Sequence, residues 1–331
     1  MAGIHFQPED SDVSHQSRAV AVSAADLVSD DDRSITGDSW SIKSDYGSAV
    51  DDDQRPVGAA SDYSSDKDET DAEAVSSMLG FQSYWDSAYT GELTNFREHG
   101  HTGEVWFGVD VMEVVASWTK ALCIDISQGR IPNRDDDVKA VANELGDKLL
   151  SCWSVLDIGT GNGLLLQELA KQGFSDLTGT DYSEQAVSLA QSLSNRDGFP
   201  NIKFLVDDVL DTKLEQEFQL VMDKGTLDAI GLHPDGPVKR MLYWDSVSSL
   251  VAPGGILVIT SCNNTKDELV QEVENFNQRK IAASLELVAA KNDESCSDHV
   301  FQYISHVRTY PTFTFGGSVG SRVATVAFRQ K

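Results

Sequence analysis

The 331-residue chain contains 53 acidic and 26 basic side chains, which give a formal net charge of −27, and 40% of its residues are hydrophobic. That hydrophobic content suffices for a folded core. The charge repels nucleic acid and anionic membranes and attracts basic partners, so we expect no nucleic-acid and no membrane partner. The first ten residues show no signal-peptide pattern, and no stretch reaches the roughly 18 apolar residues of a membrane span. We expect a monomer in the cytoplasm, with the nucleus as the alternative compartment.

The cysteines indicate neither a metal site nor disulfide bonds. Cys123, Cys152, Cys262 and Cys296 are scattered along the chain without a C-x-x-C pair. A structural zinc site needs closely paired ligands, and a disulfide framework is typical of small secreted domains. We therefore interpret the four side chains as reduced thiols and predict no bound metal.

The first 77 residues differ in composition from the rest of the chain. They contain 18 acidic and five basic side chains, a balance of −13, among many Ser and Ala and few large apolar residues. Such a segment cannot bury enough apolar surface to offset the entropy lost on ordering, so we expect residues 1–77 to form a disordered acidic tail. The alternative is a regulatory or docking tail in which Trp40 and Tyr46 anchor a short helix.

Aromatic and apolar residues appear together from residue 78 onward, where we expect the folded domain to begin. The segments FQSYWDSAY (81–89) and GEVWFG (103–108) precede a helical pattern at Val109–Leu122. Residues 127–147 are polar and include the start of a second helical pattern. That pattern is formed by Val138, Val141, Leu145 and Leu149. We interpret this stretch as an insertion and not as a second domain.

From residue 153 the chain alternates between short apolar strands and amphipathic helices. Strands are predicted at Trp153–Asp157, Leu177–Asp181, Ile202–Val206, Phe218–Met222 and Ile256–Thr260. Helices are predicted at Leu164–Lys171, Glu184–Leu193, Val238–Leu250 and Lys266–Phe276. Two final strands, Phe301–Thr309 and Arg322–Arg329, are joined without a helix and should pair antiparallel. The pattern predicts an α/β fold: a Rossmann-like, doubly wound, seven-stranded and mostly parallel sheet closed by an antiparallel C-terminal hairpin.

A glycine turn follows the first of these strands in VLDIGTGNGLLL (155–166). Asp157 ends the strand, and Gly159, Gly161 and Gly163 lead into a helix, so backbone amides face the crevice where open α/β sheets bind ligands. The last glycine falls one place early for the dinucleotide pattern G-x-G-x-x-G, and a carboxylate would repel phosphates. S-adenosylmethionine has no phosphate and carries an ammonium group that a carboxylate can bind. A turn that only packs the helix against the strand is the alternative.

Acidic residues also end the next two strands. Asp181 is positioned to accept hydrogen bonds from both ribose hydroxyls of a cofactor, whereas Ser183 suits the cap of the following helix. Asp208 is positioned for the adenine amino group, with the backbone amide of Val209 facing the adenine ring. Asp207 is the adjacent candidate, and two acids after a strand are often only a turn.

These three strand ends together resemble the cofactor site of class I S-adenosylmethionine-dependent methyltransferases. Four further segments resemble the elongation factor 1A lysine methyltransferase family: SYWDSAYTGELTNFREHGHTGEVWFG (83–108), MDKGTLDAI (222–230), TSCNNTKDEL (260–269) and TFTFGG (312–317). The resemblance implies a class I methyltransferase domain over about residues 78–331, with insertions near 123–152 and 282–300. It also implies that the enzyme uses S-adenosylmethionine to methylate one lysine of elongation factor 1A in the cytoplasm.

The fourth strand ends in MDKGTLD, where methyltransferases place acceptor-binding residues. Enzymes that methylate nucleobases carry an acid or Asn followed by two prolines and an aromatic residue here, which this chain lacks, so a flipped base is disfavoured. The family resemblance puts Asp223 beside the sulfonium and the incoming amine, as a catalytic residue. The alternative is that Asp223 only caps the following turn, with Asp228 and Lys224 in surface ion pairs.

Four aromatic residues are candidates for the walls of a lysine channel and a cofactor lid: Tyr84, Trp85, Trp106 and Phe107. We assign Tyr84 and Trp85 to the catalytic channel and Trp106 to the cofactor, because aromatic faces attract methylated amines. The alternative is that these side chains only pack the N-terminal segment onto the sheet. A small-molecule methyltransferase would share the whole cofactor site and is the alternative function. A non-catalytic binding protein is disfavoured because every cofactor residue is present.

Overall fold

The computed structural model describes residues 78–130, 148–291, 300–308, 310, 312–315 and 318–331. The predicted acidic tail lies outside the described residues, as does most of the helix predicted at 138–149. In the described part of the chain, no helix has the length and apolar character needed to cross a membrane.

The described residues form alternating helices and strands. The α-helices are α1 (Gln82–His99), α2 (Val109–Ser127), α3 (Leu164–Lys171), α4 (Glu184–Arg196), α5 (Thr226–Gly231), α6 (Gly236–Leu250) and α7 (Lys266–Lys291). The strands are β1 (Ser154–Ile158), β2 (Asp176–Asp181), β3 (Lys203–Val206), β4 (Phe218–Lys224), β5 (Val251–Ser261), β6 (Phe301–His306), β7 (Thr312–Phe315), β8 (Ser318–Ser321) and β9 (Ala324–Gln330). Short 3-10 helices cover Met78–Gly80 and Val209–Asp211.

The main sheet has seven strands in the order β3-β2-β1-β4-β5-β9-β6. The first five strands of this order pair in parallel, and β9 pairs antiparallel with both β5 and β6. The predicted fold class is therefore confirmed. Because the strand order reverses between β1 and β4, their carboxyl ends flank the crevice where such sheets bind ligands.

Both faces of the sheet are covered by apolar side chains. Val155 and Leu220 pack in a cluster that includes side chains of α2 and α3, whereas their neighbours Leu156 and Val221 pack in a second cluster with α6 and α7. Successive side chains of a strand point to opposite faces, so burial of consecutive residues requires a layer of helices on each side. This double cover explains why the central strands are apolar runs without alternation.

Several features were not predicted from the sequence. Helices α1 and α5 and the hairpin β7–β8 before β9 were not among the predicted elements. Helix α7 continues to Lys291, so part of the predicted insertion at 282–300 is an extension of this helix. No Gly or Pro interrupts it. Its start is fixed by reciprocal bonds: the Thr265 amide donates to the Glu268 carboxylate, and the Glu268 amide donates to the Thr265 hydroxyl.

The core between α6 and α7 makes a stability prediction. Trp244 is 1% exposed, and its indole N–H donates to the Glu272 carboxylate at 2.7 Å. Trp244→Ala should lower the free energy of unfolding by about 3–5 kcal/mol, because it leaves a large cavity and removes one of the donors to Glu272, which Arg240 still binds. Met241→Ala, on the exposed face of the same helix, should change it by less than about 0.5 kcal/mol. Urea unfolding of both variants measures the difference, and similar midpoints would contradict the assigned core.

Candidate active site

The glycine turn after β1 brings two of the protein's own side chains close to the crevice. Gly159 and Gly161 have φ values of 62° and 57°, in the left-handed region that favours glycine. A Cβ atom on Gly159 would lie 2.2 Å from the Thr226 hydroxyl oxygen, and one on Gly161 would lie 2.3 Å from the Tyr89 hydroxyl oxygen. The turn therefore cannot accept side chains at these positions without displacing residues from β4–α5 and from α1.

Asp157 is buried in β1, with 3% of its surface exposed. Its carboxylate accepts a hydrogen bond from the Thr160 hydroxyl at 2.7 Å. Burial raises the pKa of Asp157 to about 6, against the opposing effects of the Thr160 bond and the positive charge of Lys224. A buried carboxylate with so little compensation is suited to bind a cationic group.

Asp181 ends β2 and is also buried. Its two oxygens accept hydrogen bonds from the backbone amides of Gly161, at 3.0 Å, and Ser183, at 2.9 Å. Burial raises the pKa of Asp181 to about 6 although both of these bonds lower it. The Ser183 hydroxyl makes no capping bond to α4 and donates to Gln185 instead. Ser183 therefore does not cap α4 through its side chain as expected, and Asp181 organises this turn.

The acids after β3 have different surroundings. Both oxygens of Asp207 are used within its own loop, by the Thr212 hydroxyl and the Lys213 amide. Asp208 is exposed and uses one oxygen to accept from the Leu210 amide. Val209 is buried. Of the two acids, Asp208 has the more accessible carboxylate, which is what the assignment to the adenine amino group requires.

Asp223, in β4, is fully buried. Its carboxylate accepts from the Tyr243 hydroxyl at 2.7 Å and from the backbone amides of Thr226 and Leu227, each at 3.0 Å. Burial raises the pKa of Asp223 to about 7, and these bonds oppose the shift. The geometry is that of a residue that caps the turn into α5. A direct contact with an acceptor amine would require Asp223 to give up one of these bonds.

The surface ion pairs considered for Asp228 and Lys224 are not formed. Asp228 is buried, and its carboxylate accepts from the Ser261 hydroxyl and the Cys262 amide. Lys224 is half-buried, and its Nζ donates to the backbone carbonyl of Trp106 at 3.3 Å. Both side chains therefore tie loops together at the carboxyl end of the sheet.

Three of the predicted aromatic residues, Tyr84, Trp85 and Trp106, lie together, and the Phe107 ring lies 5.6 Å from Lys224 Nζ. The Trp85 ring lies 5.0 Å from the Trp106 ring and 5.3 Å from the Tyr84 ring, measured between centroids. Trp85 also stacks on Tyr89 at 6.1 Å, and its indole N–H donates to the Leu79 carbonyl at 2.8 Å. These rings form one cluster, which reaches the glycine turn through the hydroxyl of Tyr89. The packing interpretation thus holds for Trp85, and a role in a channel stays a prediction.

A short segment, residues 102–108, connects α1 to α2 across the crevice, and we call it the strap. Asn162, in the glycine turn, donates from its side-chain amide to the carbonyls of Thr102 and Glu104, at 3.2 and 2.9 Å. The Glu104 amide donates to the Glu92 carboxylate of α1 at 3.1 Å. At the other end of the strap, Lys224 binds the Trp106 carbonyl. The strap is therefore held by the glycine turn, by α1 and by β4.

Sequence reasoning missed four residues of this site: Tyr89, Asn162, Lys224 and Tyr243. Two of them had local signals, because Tyr89 follows Trp85 by one helical turn and Asn162 lies inside the predicted glycine turn. The other two act on residues far away in the chain. Lys224 binds a carbonyl 118 residues distant, and Tyr243 binds a carboxylate 20 residues distant.

Comparison with known proteins identifies the family. Residues 151–316 match a family model described as a methyltransferase domain. "EEF1A lysine methyltransferase 2" of Homo sapiens is 36% identical over 258 residues, covering 77% of this chain and 88% of that protein. "Protein-lysine N-methyltransferase efm4" of Schizosaccharomyces pombe is 32% identical over 265 residues, with coverages of 76% and 94%. The Saccharomyces cerevisiae protein of the same name is 32% identical, with coverages of 78% and 96%.

The chain belongs to the elongation factor 1A lysine methyltransferase family. It is a protein-lysine N-methyltransferase, and its methyl donor is S-adenosylmethionine. The predictions of family, enzyme class and cofactor are thus confirmed. The names of these relatives favour a protein acceptor over the small-molecule alternative.

The residues at the crevice fit this cofactor. Asp157 and Asp181 are two carboxylates with 3% and 6% exposure on neighbouring strands, and each has a pKa raised to about 6 by burial. A buried pair of this kind is compensated by a ligand that brings a cation and hydroxyl donors. The amino group and the ribose of S-adenosylmethionine provide these two features.

The raised pKa of Asp157 predicts that removing its charge increases the stability of the fold and weakens cofactor binding. The folded-state pKa of about 6 exceeds the ordinary 3.8, so the stabilisation by protonation is fully present in the cofactor-free fold only below the ordinary value of 3.8, and it is lost as the pH rises from there through about 6. Asp157→Asn keeps an acceptor for Thr160 without the charge. It should raise stability by up to about 3 kcal/mol at pH 8 and by about half as much at pH 5, and it should weaken cofactor binding.

Thermal unfolding at the two pH values and calorimetry with S-adenosylmethionine measure these effects. Asp176→Asn, at an exposed ion pair with Lys203 in β2 and β3, is the matched control and should change neither quantity. An equal stability gain at pH 5 and pH 8 would contradict the raised pKa. Unchanged cofactor affinity would remove Asp157 from the binding site.

Proposed function

We propose that this enzyme methylates a lysine of translation elongation factor 1A, as a cytoplasmic monomer. The observation that carries this proposal is the relationship to proteins named for elongation factor 1A lysine methylation, at 36% identity over 77% of the chain. The acidic character supports it as well. Residues 1–77 account for −13 of the net charge of −27, which leaves −14 on the remainder, so the domain itself attracts a basic partner.

We assign the cofactor to the acids at the strand ends. Asp157 is assigned to the amino group, Asp181 to the ribose hydroxyls, and Asp208 with the Val209 amide to adenine. The absence of side chains at Gly159 and Gly161 lets Thr226 and Tyr89 approach the turn beside the assigned site. When bound, S-adenosylmethionine supplies a methyl group on a positively charged sulfur.

The acceptor lysine must lose a proton before it can act as a nucleophile. With a reference pKa of about 10.4, only about one lysine in a thousand is neutral near pH 7.4, which corresponds to roughly 4 kcal/mol of the barrier. Burial between aromatic side chains disfavours the ammonium form and lowers this cost. Tyr84 and Trp85 are assigned to this channel, and Trp106 is assigned to the cofactor. The proton can then leave to water, so no general base is required.

We assign Asp223 to positioning and not to proton transfer. Its oxygens accept bonds from Tyr243, Thr226 and Leu227, which fix the turn at the end of β4. A carboxylate in direct contact with the amine would favour its ammonium form and oppose the reaction. The turn, held by Asp223, presents the residues that face the acceptor.

The substrate is tested in cells that lack the gene. Mass spectrometry of elongation factor 1A from these cells should show one lysine without its methyl groups, and re-expression of the wild type should restore them. Re-expression of Asp181→Ala should not, because that variant lacks the predicted ribose contact. An unchanged methylation map of elongation factor 1A would refute the substrate, and methylation of another protein would then identify the acceptor.

The role of Asp223 is tested by removing one of its partners. Tyr243→Phe deletes a single hydroxyl donor from the carboxylate and should lower kcat about fivefold or more while cofactor affinity is kept, as expected for a lost positioning contact. Asp223→Ala should lower kcat further. Asp245→Asn, at an exposed ion pair on the same helix as Tyr243, is the control and should have wild-type kcat. Wild-type turnover in both Tyr243→Phe and Asp223→Ala would refute the positioning role.

A further inference from the structure

Lys224 makes contacts that the proposed function does not use. It follows Asp223 at the end of β4, and its Nζ donates to the Trp106 carbonyl at 3.3 Å. The same Nζ lies 5.6 Å from the centre of the Phe107 ring, within the range of a cation–π interaction. One ammonium group therefore holds two consecutive residues of the strap.

The strap adopts a strained conformation where Lys224 binds it. Phe107 has a φ of 70°, and within the described ranges it is the one residue other than glycine with positive φ. A bulky residue in this region carries a conformational cost that its surroundings must offset. The Gly108 amide closes the turn by donating to the Val105 carbonyl at 2.8 Å. The neighbouring Gly225 leaves space for the Phe107 ring, since a Cβ atom there would lie 3.2 Å from it.

The base that carries Lys224 is rigid. Asp223 is fixed by Tyr243 and by two backbone amides, and the Gly225 amide donates to the Thr260 carbonyl of β5 at 3.0 Å. Burial lowers the pKa of Lys224, but the negative charges of Asp157 and Asp223 act in the opposite direction and favour the ammonium. A charged donor on a fixed strand end is suited to hold the strap in one position.

We propose that Lys224 is a positioning residue that latches the strap, residues 102–108, over the crevice between β1 and β4. The latch joins the acceptor side of the site to the cofactor side, because Trp106 packs on Trp85 and the Asn162 amide in the glycine turn holds the first part of the strap. The role of the latch in catalysis rests on the proposed function. Its test needs neither turnover nor elongation factor 1A.

Hydrogen–deuterium exchange in the cofactor-free enzyme measures the latch directly. Lys224→Met keeps an unbranched side chain as far as Cε but removes the ammonium. Amide exchange in the strap, where Glu104 and Gly108 donate backbone hydrogen bonds, should become about tenfold faster or more, because a hydrogen bond to a charged group is lost. Exchange in β1 should be unchanged. Affinity for S-adenosylhomocysteine, measured by calorimetry, should fall in the same variant.

Two further variants complete the experiment. Lys224→Arg keeps a cationic donor and should restore slow exchange in the strap, which a purely steric role would not predict. Lys203→Met removes an exposed lysine on β3 and should match the wild type. If Lys224→Met does not fold, Lys224→Gln is measured in its place.

Three results would overturn the latch. The first is wild-type exchange in the strap of Lys224→Met. The second is faster exchange throughout the sheet, which would make Lys224 a residue of general stability. The third is equally fast exchange in Lys224→Arg and Lys224→Met. Unchanged affinity for S-adenosylhomocysteine would overturn the connection to the cofactor. None of these results would alter the assignment of elongation factor 1A as substrate.

Discussion

Three carboxylates are buried side by side at the carboxyl end of the sheet, and their compensation organises the site around them. Asp157, Asp181 and Asp223 belong to the neighbouring strands β1, β2 and β4, and none exceeds 6% exposure. A buried carboxylate needs donors or a cation. Asp223 has two backbone amides and a phenol, and Asp181 has two amides. Asp157 has one hydroxyl bond and the more distant charge of Lys224. The number of hydrogen-bond donors therefore decreases from Asp223, which organises the turn after β4, to Asp157, which is assigned to the amino group of the cofactor.

The helix and the strap that precede the sheet complete this arrangement. The hydroxyl of Tyr89 rests on the glycine turn, and burial and the charge of Asp181 raise its pKa well above the ordinary value, so it stays a neutral phenol beside the acids. Asn162 and Lys224 hold the strap from opposite sides of the crevice. Residues on β1, β4 and α1 therefore constrain one another through short polar contacts and stacked rings. We therefore expect loss of a contact at the strap to affect both the cofactor-binding part and the acceptor-binding part of the site.

The sequence predicted the features that depend on short-range pattern. Apolar runs separated by amphipathic helices predicted five parallel strands and a closing antiparallel pair, whereas the ligand site at the glycine turn after Asp157 stays a prediction. Helix α7 extended beyond its predicted end because the amphipathic pattern fades after Phe276 although nothing breaks the helix. The orientation of Asp223 could not be predicted, since it depends on Tyr243, which lies two helices later in α6. The contact between Lys224 and Trp106 joins segments 118 residues apart, so it becomes visible only when the sheet brings β4 under the strap.

The same buried acids make the cofactor-free fold less stable than it would be with neutral residues. Burial raises the pKa of Asp181 to about 6 and that of Asp223 to about 7, so near neutral pH the fold carries charges that it disfavours. Asp223 keeps the highest pKa of the three acids although three donors bind it, so these donors offset only part of the cost of its burial. The cost of Asp157 and Asp181 is offset only when a ligand with a cation and hydroxyl groups is bound, which links cofactor binding to stability. The fold should therefore be more stable with the cofactor bound than without it, because the carboxylates assigned to the ligand are only partly compensated in the cofactor-free protein.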